Sequence, residues 1–193
     1  IGNLTELTEV DSAGVNAVLL GFCQELGVRS VLTTQVIPWA QSSVKECDLA
    51  RRLMQHAVSR GELPKHLDAG LVTLRAGQTA QPTCEELEEL ANAIRDPNFR
   101  VFAVEGEIHL VGAKLHLHHA DPFVVFQQLL DAVAGGTVDR APNASHAFYL
   151  GHELSKASTA LTLGKSYEQD VSLDWGFLTR SEESHRLPGF RQG

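Results

Sequence analysis

Over the first sixty residues the apolar side chains recur at two different periods. Val15, Val18, Leu19 and Phe22 are three and four residues apart, which predicts a helix that Asp11 or Ser12 can cap and Gly27 can end. Ser30–Val36 is a short run of Val, Leu and Thr closed by Pro38, the pattern of a buried strand. Ser42 or Ser43 then opens a second helical pattern, with Val44, Cys47, Leu49, Leu53, Met54 and Ala57 on its core face. The chain opens on Ile1-Gly2-Asn3 without an initiator Met or signal peptide, so it is expected to start inside a strand. Strand, helix, strand, helix with short connections argues a parallel sheet. Two such units cannot close a barrel, so the missing strands are expected upstream.

Residues 61–67, with Gly61, Pro64 and His66, have the composition of a linker between residues 1–60 and a second domain over 68–178. In that domain Gly70–Arg75 reads as a short strand. Thr83 with Glu86 forms a capping box for a helix through Ile94, and Asp96-Pro97-Asn98 is a turn. Phe99–Val104, Glu107–Val111 and Lys114–His118, separated at Gly106 and Gly112, predict an antiparallel meander. Its apolar face would carry Phe99, Val101, Ala103, Ile108, Leu110, Leu115 and Leu117. Asp121-Pro122 starts a helix with Phe123, Phe126, Leu129 and Leu130 on its apolar face, and Ser145 is expected to cap a long last helix that Gly164 ends. Residues 179–193 are charged and read as a flexible tail. The fold class is thus α/β: two βα units of a TIM-type barrel, then a small α/β domain with a meander and helices.

Charge narrows the partners. A net charge of -8 gives no electrostatic support for tracking phosphates, which argues against nucleic acid. The longest apolar stretches fall far short of the roughly 20 residues that span a bilayer, so no membrane partner is expected. Three widely spaced cysteines, Cys23, Cys47 and Cys84, suit reduced thiols and a cytoplasmic location.

In a β/α barrel the loops after the strands form the active mouth. Here these are Gly2, Asn3 and Thr5 after the first strand, and Thr33 and Gln35 at the end of the second. Gly2 permits close backbone approach. The Asn3 amide both donates and accepts, matching the mixed edge of a pterin ring, although a Gly-Asn pair is also a common turn former.

The phrases GNLTELT, SVLTTQVIPWA, KECDLARRLM, HAFYLG, ALTLGK and LDWGFLT resemble the dihydropteroate synthase-related proteins of the pterin-binding family, from organisms with methanopterin-type one-carbon carriers. The likeness covers nearly the whole chain and implies the C-terminal part of a TIM-barrel protein. Asn3 matches an Asn that contacts the pterin in the methyltransferase branch of the family. Two motifs depart from the synthases. Their Ser-Arg-Lys stands as Gly2-Asn3-Leu4 here, and their anion-gripping Arg-x-His as Thr33-Thr34-Gln35. Loss of an ammonium, a guanidinium and an imidazole removes the groups best suited to a diphosphate leaving group. The resemblance implies a transferase of tetrahydromethanopterin-type cofactor biosynthesis that joins a dihydropterin to an arylamine, with this fragment alone inactive and a homodimer left open. The alternatives are a tetrahydropterin-dependent methyltransferase and a non-catalytic pterin-binding or assembly protein.

Three polar clusters remain in the second domain. His109, His116 and His118 fall on adjacent predicted strands, where 116 and 118 share a face. No cysteine or carboxylate at matching spacing completes a ligand set, so they read as a solvated sheet face and no metal is assigned. His146, Tyr149, Glu153 and Lys156 form a helical stripe, readable as a solvated face or as a wall at an interface or cleft. Lys165, Tyr167, Gln169 and Asp170 form a polar loop with no mechanistic signature.

Overall fold

The computed structural model of the chain describes residues 4, 7, 10–37, 40–74, 81–138 and 141–182. The chain falls into two units: Ile1–Leu74 with Trp175–Thr179, and Arg75–Asp174 with Arg180–Gly193. Among the described residues it is a mixed α/β protein with five α-helices and one three-stranded antiparallel sheet.

The first unit pairs two helices, α1 (Ser12–Glu25) and α2 (Ser43–Arg60). Gly27 and Gly61 follow them with φ of 68° and 66°, the left-handed conformation that closes a helix without a Cβ clash. Leu20, Cys47 and Ala50 form the apolar centre of the pair. The face that α1 buries is not the expected one. Ser12, Ala13, Asn16 and Leu20 are buried, whereas Val18 and Phe22 are each 60% exposed. A sheet would cover the larger apolar stripe. Its partner helix α2 takes the smaller side, where a close approach is possible.

The expected strand Ser30–Val36 is irregular, and Val31, Leu32 and Val36 are exposed. A parallel strand exists only through pairing, and no strand lies beside this segment among the described residues of the unit. The short strand expected at Gly70–Arg75 is likewise a turn and coil over its described part, residues 70–74. Phe177 N donates to Gly70 O at 3.3 Å, seating the 3-10 turn Gly176–Leu178 on it. Gly176 is required there: its φ is 57°, and a Cβ would meet Gly70 O at 2.5 Å.

In the second unit α3 (Cys84–Ala93) begins with the expected capping box. Glu86 N donates to Thr83 Oγ1, and Thr83 N donates to Glu86 Oε2 at 2.7 Å. Strands β1 (Arg100–Val104), β2 (Glu107–Gly112) and β3 (Leu115–His119) form the meander in that order. Both connections are two-residue turns. Glu105 and Gly106, at φ 52° and 85°, join β1 to β2; Ala113 and Lys114, the latter at φ 57°, join β2 to β3. Gly112 is therefore the last residue of β2, opposite Leu115, rather than a turn residue. A Cβ on it would meet the Phe99 ring at 3.0 Å.

The sheet is covered on both faces. Val104 and Val111 pack with Leu87 and Ala91 of α3 and with Ile94, which follows it. Val101, Ile108 and Leu110 face the other way, toward α4 (Pro122–Ala134) and α5 (Ala144–Leu163). Asp121 Oδ1 accepts from Phe123 N and sets the phase of α4, so Val125 and Leu129 are buried while Phe123 is 84% exposed. The apolar face thus lies about 200° from Phe123, at 100° per residue. Asn143, not Ser145, caps α5, accepting from His146 N at 2.9 Å, and Gly164 ends it at φ 66°. The Gln169 amide serves the free edge of β1, accepting from Val101 N at 2.8 Å and donating to Phe99 O at 3.3 Å.

Candidate functional site

Gly2, Asn3 and Thr5 lie outside the described residues, as does Arg75 at the end of the short strand expected at Gly70–Arg75. Leu4, between Asn3 and Thr5, is helical and 45% exposed.

Thr33 and Gln35 come together at the N-terminus of α2. Thr33 Oγ1 lies 2.7 Å from Ser43 Oγ, and Gln35 Oε1 accepts from Val44 N at 3.2 Å. A helix N-terminus offers unpaired N–H groups and favours negative charge. Here a neutral amide oxygen takes one of those donors. Behind it runs a buried polar chain. Asn16 Nδ2 donates to Ser43 Oγ at 3.1 Å and to Glu46 Oε2 at 2.8 Å, and Ser42 Oγ donates to Glu46 Oε1 at 2.6 Å. Asn16, Ser43 and Glu46 are all under 4% exposed. Burial pushes the Cys47 thiol beside them up, outweighing its hydrogen bonds with Thr33 and Ser43. Asn16 and Glu46 were not foreseen, because at helical spacing a polar residue reads as solvent-facing unless its partner on the other helix is known.

The helical stripe is not a solvated face. Glu153 is 2% exposed and Lys156 7%, with Lys156 Nζ donating to Glu153 Oε1 at 3.0 Å and to Glu182 Oε2 at 2.7 Å. Tyr167 donates to Glu153 Oε2 at 2.7 Å. Tyr149 donates to Asp170 and receives the Gln169 amide, while His146 lies against the rings of Phe99 and Tyr149. Burial raises both phenols far above their ordinary range, and the neighbouring carboxylates add to it, so they stay protonated donors. Burial alone would raise Glu182, but the hydrogen bond and charge of Lys156 hold it low. Lys165, lowered by burial, donates to Asp174 O. The polar loop 165–170 thus serves to fix α5 and the edge of the sheet. His152, Glu153 and Glu182 also lie close enough to ligate an ion, but the Lys156 ammonium already sits between the two carboxylates.

The histidines follow the expected register: His109 opposes His118, and His116 opposes Val111. Their rings stack, with His109 Nδ1 2.9 Å from His116 Nε2. Only the outer end of the row is solvated: His118 is half-buried to the same degree as His116, whereas His109, on the side of the sheet that α3 covers, is 2% exposed. His118 Nδ1 lies 2.6 Å from Glu107 Oε2, which holds the Glu107 carboxyl below its usual range. Burial lowers His109 and His116, and the neighbouring histidine charges add to it. Cys84, the first residue of α3, lies beside the pair. Its Sγ and the ring nitrogens of His109 and His116 are all within 4.8 Å of one another. No spacing in the sequence announces this, because it depends on which sheet face α3 covers.

No family model matches the chain, and no solved structure matches it. It is 26% identical over 185 residues to the uncharacterized protein MJ0107 of Methanocaldococcus jannaschii, an alignment covering 90% of this chain and 35% of that protein. The chain therefore spans about a third of the length of the relative it matches. No helix among the described residues is long and apolar enough to cross a membrane.

Proposed function

We propose that this chain belongs to a pterin-binding protein of the dihydropteroate synthase-related kind, which joins a dihydropterin to an arylamine in the biosynthesis of a methanopterin-type cofactor. In this reading residues 1–60 contribute to the barrel mouth. Asn3 orients the pterin ring, supported by Gly2 and Thr5, while Thr33 and Gln35 stand at the former anion position.

The observation that carries the reading is the meeting of Thr33 and Gln35 at the start of α2. These two residues stand where the synthases have their anion-gripping Arg and His, and both are engaged at a helix N-terminus, where an anion would be favoured. The exposed Val31, Leu32 and Val36 further suit a segment that pairs with neighbouring barrel strands.

The test is incubation of the complete gene product with hydroxymethyl-dihydropterin diphosphate and an aminobenzoate-type acceptor. Release of diphosphate with formation of the pterin–arylamine adduct is expected. In a parallel incubation with a methyl-tetrahydropterin and a thiol acceptor, methyl transfer without diphosphate release in the first selects the methyltransferase alternative, and pterin binding without turnover in either leaves a non-catalytic pterin-binding protein.

A further inference from the structure

We propose that Cys84, His109 and His116 form a binding site for a single zinc-type divalent metal ion, with one coordination position open to solvent. The three ligands come from separate elements: the start of α3, the middle of β2 and the start of β3. They converge because α3 lies over the face of the sheet that carries both histidines.

The ligand chemistry favours a borderline-soft ion. One thiolate and two imidazoles suit zinc, whereas magnesium and calcium take oxygen ligands. In a tetrahedral zinc site, bonds of about 2.3 Å to sulfur and 2.0–2.1 Å to nitrogen set neighbouring ligand atoms roughly 3.3–3.6 Å apart. One ligand atom from each residue lies within 4.8 Å of the others, and His109 Nδ1 lies 2.9 Å from His116 Nε2. Small side-chain rotations bring them to that spacing. Cys84 and His116 are only half-buried, so water can reach the fourth position.

The tautomers suit the same reading. His109 Nε2 lies 3.3 Å from the Val104 carbonyl, which can only accept, so the ring carries its proton there and leaves a lone pair on Nδ1. Imidazole ligands of metals are commonly oriented by such a backbone carbonyl. Without an ion, the contact between Nδ1 of His109 and Nε2 of His116 needs a proton on His116 Nε2. A bound ion replaces that proton, which moves to Nδ1 of His116, and Cys84 loses its thiol proton. Near neutral pH the net release is one proton per ion. Glu88, one turn along α3, and Glu107 add negative charge around Cys84 and His116, which favours a cation.

The test uses the whole chain, stripped with chelator, confirmed folded by circular dichroism and titrated with Co2+ and then Zn2+. The expected result is uptake of one Co2+ per chain with a thiolate-to-cobalt charge-transfer band and tetrahedral d–d absorption, both abolished by Zn2+. Cys84→Ser and His116→Gln should each weaken uptake roughly a hundredfold or more, at least the loss that follows removal of an outer-shell partner. Cys23→Ser should leave it unchanged. A folded chain that takes up no Co2+, uptake without the thiolate band, or a band that survives in Cys84→Ser would overturn the site. Should either ligand variant fail to fold, maleimide labelling of the unaltered protein decides. Zn2+ should slow modification of Cys84 and leave Cys23 unaffected, and equal labelling of Cys84 with and without Zn2+ contradicts the proposal.

Discussion

The hydroxyl of Tyr167 donates to Glu153 Oε2 at 2.7 Å, while Lys156 holds the other oxygen of that carboxylate at 3.0 Å. Glu153 is a buried charge whose two oxygens are served by different segments of the second unit. Tyr167→Phe leaves one oxygen short of a donor, which costs about 1–3 kcal/mol. Lys156→Met removes the ammonium shared by Glu153 and Glu182 and costs about 3–5 kcal/mol, the usual scale for breaking a buried pair. Urea unfolding should place the two variants in that order. Replacing both partners, as in Glu153→Gln with Lys156→Met, should be milder than Lys156→Met alone. Wild-type stability in Lys156→Met would contradict this account.

In the first unit the polar chain behind α2 should matter more than the contact at its mouth. Asn16 is fully buried and gives both amide protons to partners on α2. Asn16→Ala leaves the buried Glu46 short of a donor and should cost about 1–3 kcal/mol. Gln35→Ala breaks an exposed contact and should change stability by only about 0.5 kcal/mol. Equal shifts of the two variants in urea unfolding would show that the chain is not a structural centre.

Acidification should weaken the second unit before its carboxylates titrate. Burial between Phe99 and Tyr149 holds the His146 imidazole below its ordinary value. A group depressed in this way contributes stability that is fully present above the unfolded value of about 6.5 and is lost as pH falls from there through the folded value. In chelator-treated protein, urea midpoints should therefore fall between pH 7.5 and pH 5.5. His146→Phe should reduce the fall. A fall of the same size in the variant would remove His146 as a contributor.

The second unit was more legible in the sequence than the first, for a physical reason. Its signals are local: the Thr83 and Glu86 box, the Asp121-Pro122 cap and the two-residue turn at Gly106 each act within a few residues. The alternation of Ile108 and Leu110 with His109 likewise assigns faces without knowledge of the partner. In the first unit the signals depend on neighbours. Ser30–Val36 has a strand's composition but no strand beside it among the described residues, and α1 buries Asn16 rather than Phe22 because its partner is a helix. The same limit hid the candidate ligand set. His109, His116 and His118 are visible in the sequence on adjacent strands, but Cys84 joins His109 and His116 only through the packing of α3.

Pterin recognition is the central claim, and direct binding tests it most closely. The complete gene product should be titrated calorimetrically with a dihydropterin, beside the variants Asn3→Ala and Gln35→Ala. Saturable binding is expected, with Asn3→Ala weakening it about tenfold to a hundredfold, the usual loss when a hydrogen-bonding partner of a bound ring is removed. Gln35→Ala should have a smaller effect, since Gln35 is assigned to the former anion position and not to the ring. Absence of dihydropterin binding, or equal affinities in the two variants, would contradict the account.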